Sequence, residues 1–283
     1  MGEPMHAWVA AMREGRFADA WALSAVAMRA RDPASRDDPA QPYHLRWVWD
    51  GRPFDGRDVL VRCYHGLGDT IQFARFLPLL ADRSRSVTFE VQPRLAPLLK
   101  DLPGVDRIVP FDPAHPVPPF ECDIEIGELE FALAATPADS PSPYLRAARA
   151  SLPPRTIGLC YSAGEWDAER CVPPALLAPL CAGRQVVTLV AEPTPLPVLN
   201  PAGCPFDLVV TASLVAGCSL VITVDTMIAH LAGAMGKPTW HVHSAHRDER
   251  SAAFARRSND TKNRRTLDLT VSRGTPYLFA NSR

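Results

Sequence analysis

Three short segments hold residue types that could act on a phosphorylated substrate. The first is Tyr64-His65-Gly66-Leu67-Gly68-Asp69-Thr70, which follows a β-branched run and opens a helical one. Its two glycines suit a sharp turn and a close approach to a ligand, and free amides at a helix start favour an anion. Asp69 falls in the first helical turn, where a carboxylate can take a proton from a hydroxyl or simply cap the helix. Gly66-x-Gly68 lacks the third glycine of a dinucleotide-binding turn.

The second segment runs from a buried-looking strand, Val221-Ile222-Thr223-Val224, into Asp225-Thr226-Met227-Ile228-Ala229-His230-Leu231-Ala232-Gly233. Small residues let this helix lie close to a sheet, and its first amides suit a diphosphate. The same residues also read as a plain helix start, with Asp225 or Thr226 as the cap and His230 as an interior histidine. The third segment is Cys160-Tyr161-Ser162-Ala163-Gly164-Glu165-Trp166-Asp167-Ala168-Glu169-Arg170, a strand running into a loop. The fork of Arg170 matches phosphate oxygens in two-point contact, although a surface ion pair with Glu169 or Asp167 would account for it equally.

These segments need a scaffold, and the chain supplies a regular one. β-branched runs at 59–63, 87–91, 107–109 and 123–126 alternate with helical stretches at 70–80 and 94–100. After a proline-rich break at 136–154 the alternation resumes. Strands are expected at 156–161, 185–190, 220–224 and 238–242, with helices at 174–181, 213–218 and 227–235. Alternating strand and helix predicts parallel α/β layers, and two such layers face to face leave a cleft at the strand carboxyl ends, where ligands bind. Residues 5–30 form a helical hairpin broken by Gly15, and Gly15-Arg16-Phe17-Ala18-Asp19-Ala20-Trp21 is similar to a single tetratricopeptide unit. The expected division is a hairpin and linker at 1–41, one α/β domain at 42–150, a second at 151–245, and a basic tail at 246–283 read as a surface helix followed by frayed chain.

Composition narrows the class. The chain has 283 residues, 47% apolar and 22% charged, which excludes a wholly disordered chain, a collagen and a coiled coil. Net charge is −1, so the chain is not built to coat nucleic acid. The seven cysteines form no C-x-x-C pair, which argues against a zinc knuckle or a disulfide framework and for a reducing compartment. The longest uncharged run, 208–224, falls short of the roughly 20 residues that span a bilayer. A cytoplasmic protein without a transmembrane segment is expected.

Taken together and in order, the segments resemble the heptosyltransferase-like glycosyltransferases of family 9, in particular a bacterial branch in which the domain follows tetratricopeptide repeats. The resemblance rests on Trp49-Asp50-Gly51, Gly66 to Leu80, Pro103-Gly104-Val105-Asp106, Pro143-Tyr144-Leu145, Glu169-Arg170-Cys171-Val172-Pro173 and the stretch from Asp225 to Gly236, and spans about residues 45–245. It implies a GT-B fold of two Rossmann-like domains facing a cleft. The first would take the acceptor and the second a nucleotide-diphosphate sugar, with ADP-linked donors among the candidates. Transfer would invert the anomeric centre with no metal or other cofactor. By the motif match, Asp69 would be the general base, and Gly66, Gly68 and Gln72 would form the acceptor-side loop. Arg170, Gly164, Asp225, Thr226, Met227 and His230 would meet the donor diphosphate. The acceptor would be a glycan or a protein hydroxyl, and the N-terminal helices would be free to dock a protein partner. After Trp240 the chain holds no further tryptophan and runs into the basic tail. That ending keeps a second reading open, a catalytically inactive GT-B-like scaffold that docks partners through its helical hairpin.

Overall fold

Asp58-Val59-Leu60-Val61-Arg62 is a strand because β-branched and aliphatic residues can be buried on both faces of a parallel sheet. A computed structural model describes residues 3–140, 143–163, 170–202, 204–243 and 270–273. The chain opens with α1 (Glu3–Arg13) and α2 (Phe17–Arg29). Gly15, at φ +71, makes the turn between them, and Ala11, Met12 and Ala20 pack with Trp8, Phe17 and Trp21 in the seam. Next come β1 (Asp58–Arg62), α3 (Leu67–Phe73), α4 (Leu77–Ala81), β2 (Ser86–Val91), α5 (Ala96–Leu99), β3 (Arg107–Pro110), β4 (Cys122–Glu125) and α6 (Leu129–Ala132). The four strands form an all-parallel sheet in the order β3-β2-β1-β4.

The chain divides after Tyr144. The second unit contains β5 (Ile157–Cys160), α7 (Pro174–Cys181), β6 (Val186–Thr188), α8 (Leu208–Gly217), β7 (Leu220–Thr223), α9 (Met227–Ala234), β8 (Thr239–His243) and β9 (Thr270–Arg273). Its sheet runs β6-β5-β7-β8-β9, parallel except for the last pair. The expected α/β class with parallel layers is therefore what the structure has.

Four expectations change. The division falls at 144/145 rather than 150/151. The Leu145 N–H already donates to Ala234 O (3.0 Å) and the Ala150 N–H to Ser213 O (3.0 Å), both within the second unit. The helical hairpin belongs to the first unit, with the Trp21 ring 6.2 Å from that of Phe131 on α6. The helix expected at 70–80 starts at Leu67 and is interrupted by a 3₁₀ turn at Ala74–Phe76. Pro78 has no N–H to donate one turn back, so the regular ladder cannot pass it. The tail supplies β9, antiparallel to β8, where a helix and frayed chain were expected; residues 246–269 and 274–283 lie outside the described residues.

The first sheet has two unlike faces. Val59, Val61, Val87, Phe89 and Ile124 are buried on one. Parallel register puts Arg62 beside Glu90 and Glu125 on the other, with Asp123 two residues before Glu125. Arg62 donates to Asp123 Oδ2 (Nη2, 2.7 Å), Glu90 Oε2 (Nη1, 3.1 Å) and Val117 O (Nη2, 3.1 Å). The remaining carboxylate oxygens accept the Val117 and Phe120 N–H groups at 3.1 and 2.7 Å. A buried ion network thus ties the proline-rich loop at 111–120 onto the sheet.

One glycine here is required by the packing. Gly104 has φ +81, and a Cβ built on it would lie 2.7 Å from Pro78 Cα and 2.8 Å from Leu77 O. Gly104→Ala should lower stability by about 1–3 kcal/mol, read as a shift of the urea midpoint. An unchanged midpoint would show that α4 and the 104 loop separate freely.

Candidate active site

In an open parallel sheet, ligands bind beyond the strand carboxyl ends where the strand order reverses. In the first unit that point lies between β1 and β4, and in the second between β5 and β7. Each of the three segments singled out above leaves one of these strands.

In the first unit, the loop after β1 is fixed by its neighbours. Gln92 Nε2 donates to Cys63 O (3.3 Å) and His65 O (2.8 Å), and Thr70 Oγ1 donates to Gln92 Oε1 (3.0 Å). Glu125 Oε1 accepts the Tyr64 N–H at 3.3 Å, and Asp69 Oδ2 accepts the Gly66 N–H at 3.1 Å. Asp69 therefore does cap α3, as the plain reading has it, while remaining partly exposed at the strand ends. The glycines work differently from expectation. Gly66 has φ −71, and neither it nor Gly68 has a positive φ. Gly66 matters for space, because a Cβ there would lie 3.2 Å from Asp69 Oδ2; Gly68 is in the first turn of α3. Gln72 does not line the loop. It is buried on α3, and its Oε1 has no hydrogen-bond partner in the structure. The same holds for Arg75 Nε and Glu130 Oε1, and burial pushes the Glu130 carboxyl up to about 8.

Two residues at this corner, Glu125 and His65, were given no role by the sequence. Glu125, at the end of β4, is buried, and its Oε1 lies 2.9 Å from His65 Nδ1, within ion-pair distance. Glu125 Oε2 accepts the Gly127 N–H at 2.7 Å. Burial raises the Glu125 pKa. The Glu125 carboxylate beside His65 raises the imidazole above its usual range, and Asp69 and Glu128 add to the effect. The available signal was Cys122-Asp123-Ile124-Glu125: charges at alternate positions of an otherwise apolar strand suit a buried sheet only if they meet partners.

In the second unit the structure brings together Arg170, Asp225, Thr226 and Met227. Arg170 Nη1 donates to Asp225 O (3.1 Å) and lies 3.4 Å from Asp225 Oδ2. Thr226 is the cap of α9, its Oγ1 accepting the Ile228 N–H at 3.2 Å. Cys160 Sγ, at the end of β5, is 3.7 Å from that hydroxyl. Met227 begins the helix, and His230 is on it one turn further, partly exposed. Gly164 lies outside the described residues, as do Asp167 and Glu169, the alternative partners for Arg170. An arginine beside the positive end of a helix offers fixed donors to an anion. Among the described residues, no group of three or more His, Cys, Asp or Glu side chains could hold a metal ion. Cys63, Cys122, Cys160, Cys181, Cys204 and Cys218 are buried thiols. No helix among the described residues is long and apolar enough to cross a membrane.

Comparison with known proteins finds a partial match to one family model. Residues 204–277 match the model of glycosyltransferase family 9 (heptosyltransferase). The match covers α8, β7, Asp225, Thr226 and α9 and continues through the tail; it leaves out the first unit and Arg170. No curated protein matches the sequence significantly. Among solved structures, a family 9 glycosyl transferase from Veillonella parvula aligns at 16% identity over 65% of this chain and 80% of its own, with a TM-score of 0.48. The iron-containing dodecameric glycosyltransferase TibC of enterotoxigenic E. coli aligns at 16% identity over 68% and 60%, also at 0.48. The E. coli ADP-heptose lipopolysaccharide heptosyltransferase II aligns at 17% identity over 64% and 83%, at 0.46.

Proposed function

We propose, from the family 9 sequence carried in the second unit, that this protein is a glycosyltransferase that moves a sugar from a nucleotide-diphosphate donor to a hydroxyl of a glycan or protein. The observation that carries the reading is the corner of Arg170, Asp225 and the capped start of α9, lying at the strand reversal of the second sheet within hydrogen-bond reach of one another. A diphosphate leaving group gathers negative charge as its bond to the sugar breaks, and donors fixed in advance stabilise that charge most. Arg170 and the first amides of α9 supply such donors, so the reaction needs no metal. Asp225 orients the guanidinium, and Met227 and His230 border the phosphate side.

In this reading Asp69, on the first unit, accepts the proton of the acceptor hydroxyl. The hydroxyl oxygen attacks the anomeric carbon on the face opposite the diphosphate, so the configuration inverts. The Asp69 carboxylate is held by the Gly66 N–H through Oδ2, which leaves Oδ1 to meet a hydroxyl.

Calorimetry with ADP, GDP, UDP and ADP-heptose tests the donor corner. At least one should bind, and Arg170→Ala should weaken that binding by about 10- to 100-fold, the worth of one charge-assisted contact. No binding across the panel would overturn the transferase reading and favour the inactive scaffold.

A further inference from the structure

We propose that His65, backed by the buried carboxylate of Glu125, is a second proton-handling group at the acceptor side, receiving the hydroxyl proton from Asp69 and returning it to solvent. This rests on the transferase reading. His65 immediately precedes Gly66, whose N–H is held by Asp69, so imidazole and carboxylate flank a single peptide unit. His65 Nδ1 is buried at ion-pair distance from Glu125 Oε1, 2.9 Å, but makes no hydrogen bond there; Nε2 is the other ring nitrogen and the one that exchanges a proton. The ring keeps 30% of its surface in solvent, whereas Glu125 is 2% exposed. A carboxylate so buried needs a positive partner to stay charged, and His65 is the one beside it.

Holding the backbone does not explain the ring. Gln92 already holds the carbonyls of Cys63 and His65, Glu125 the Tyr64 N–H, and Asp69 the Gly66 N–H. The acidic groups that face the imidazole are Glu125, Asp69 and Glu128, the last paired with Arg31 at 2.6 Å. That surplus of negative charge disfavours an anionic ligand and favours a proton on the ring, in line with the upward shift of His65. The proton balance closes. The acceptor oxygen forms its bond to the anomeric carbon, the nucleoside diphosphate leaves with the old bonding pair, and the hydroxyl proton passes to Asp69; the His65 imidazolium gives its Nε2 proton to water and takes the Asp69 proton in its place, so the ring ends the cycle charged as it began. Asp69 is thereby ionised again for the next cycle.

Two measurements on the full chain test this. The first is the NMR titration of the histidine rings, with His65 identified as the resonance lost in His65→Gln. Its midpoint should lie above the usual histidine value and fall in Glu125→Gln. The second is release of ADP from ADP-heptose with water as the acceptor. His65→Ala should lose about tenfold or more in turnover at unchanged nucleotide affinity. Free imidazole should restore turnover in His65→Ala but not in Asp69→Asn. A midpoint unmoved by Glu125→Gln overturns the proposal, as does His65→Ala with wild-type turnover and pH profile, or a loss that imidazole leaves untouched while the melting temperature falls. Failure of the wild type to release nucleotide from ADP-heptose or from GDP- and UDP-sugars would instead overturn the transferase reading, and this proposal with it.

Discussion

Asp69→Asn should lower sugar transfer by about 10²- to 10⁴-fold, the range a positioned general base contributes, while nucleotide affinity stays within a factor of about two of wild type. The substitution is nearly isosteric. The side-chain amide oxygen of the introduced asparagine can still accept the Gly66 N–H, so the cap of α3 survives; what is lost is the ability to take a proton. The donor corner is made of residues of the second unit, so its affinity for a diphosphate should not depend on position 69. Measuring turnover and nucleotide affinity on the same preparation separates the two. Turnover retained within a few-fold would remove Asp69 as the base and leave it a helix cap. A fall in thermal stability together with loss of nucleotide binding would show that the substitution acted on the fold.

Arg62→Leu should destabilise the first unit by about 3–5 kcal/mol, because it leaves two buried carboxylates without their counter-charge. Arg62 is 2% exposed, Glu90 0% and Asp123 2%. Without the guanidinium both acids must take up protons or draw in water, and each also holds a backbone N–H of the 111–120 loop. The loss should appear as a large drop in the urea midpoint, with the 111–120 loop open to protease before the rest of the unit. Replacing Arg62, Glu90 and Asp123 together with apolar residues of similar volume should cost less than Arg62→Leu alone, since no charge is then stranded. A change below about 1 kcal/mol for Arg62→Leu would mean that water reaches the network. Arg62 attracts no attention in the sequence because it ends an ordinary strand run; its partners lie 28 and 61 residues away.

That separation marks what was legible in the chain and what was not. The α/β class, the strands that end at the site, and the loops after β1 and β7 could be read from the residues, because side-chain periodicity, caps and breakers act within a few positions. Thr226 as the cap of α9 and Pro174–Cys181 as a helix are of this kind. The same local chemistry put Asp69 in the first turn of α3 and offered both a cap and a base as its role; the structure shows the cap. What local reasoning missed depends on which strands pair. Parallel register between β1 and β4 brings Glu125 to His65, and the β5–β7 pairing brings Arg170 to Asp225, across 55 residues of chain. The break at Ala74–Phe76 and the return of the tail as β9 are likewise settled by packing against a sheet rather than by propensity. Sequence alone determined which residues could do chemistry at each strand end. Only tertiary structure decided which of them meet, because strand order and register are set by burying whole faces at once, a quantity no single segment carries.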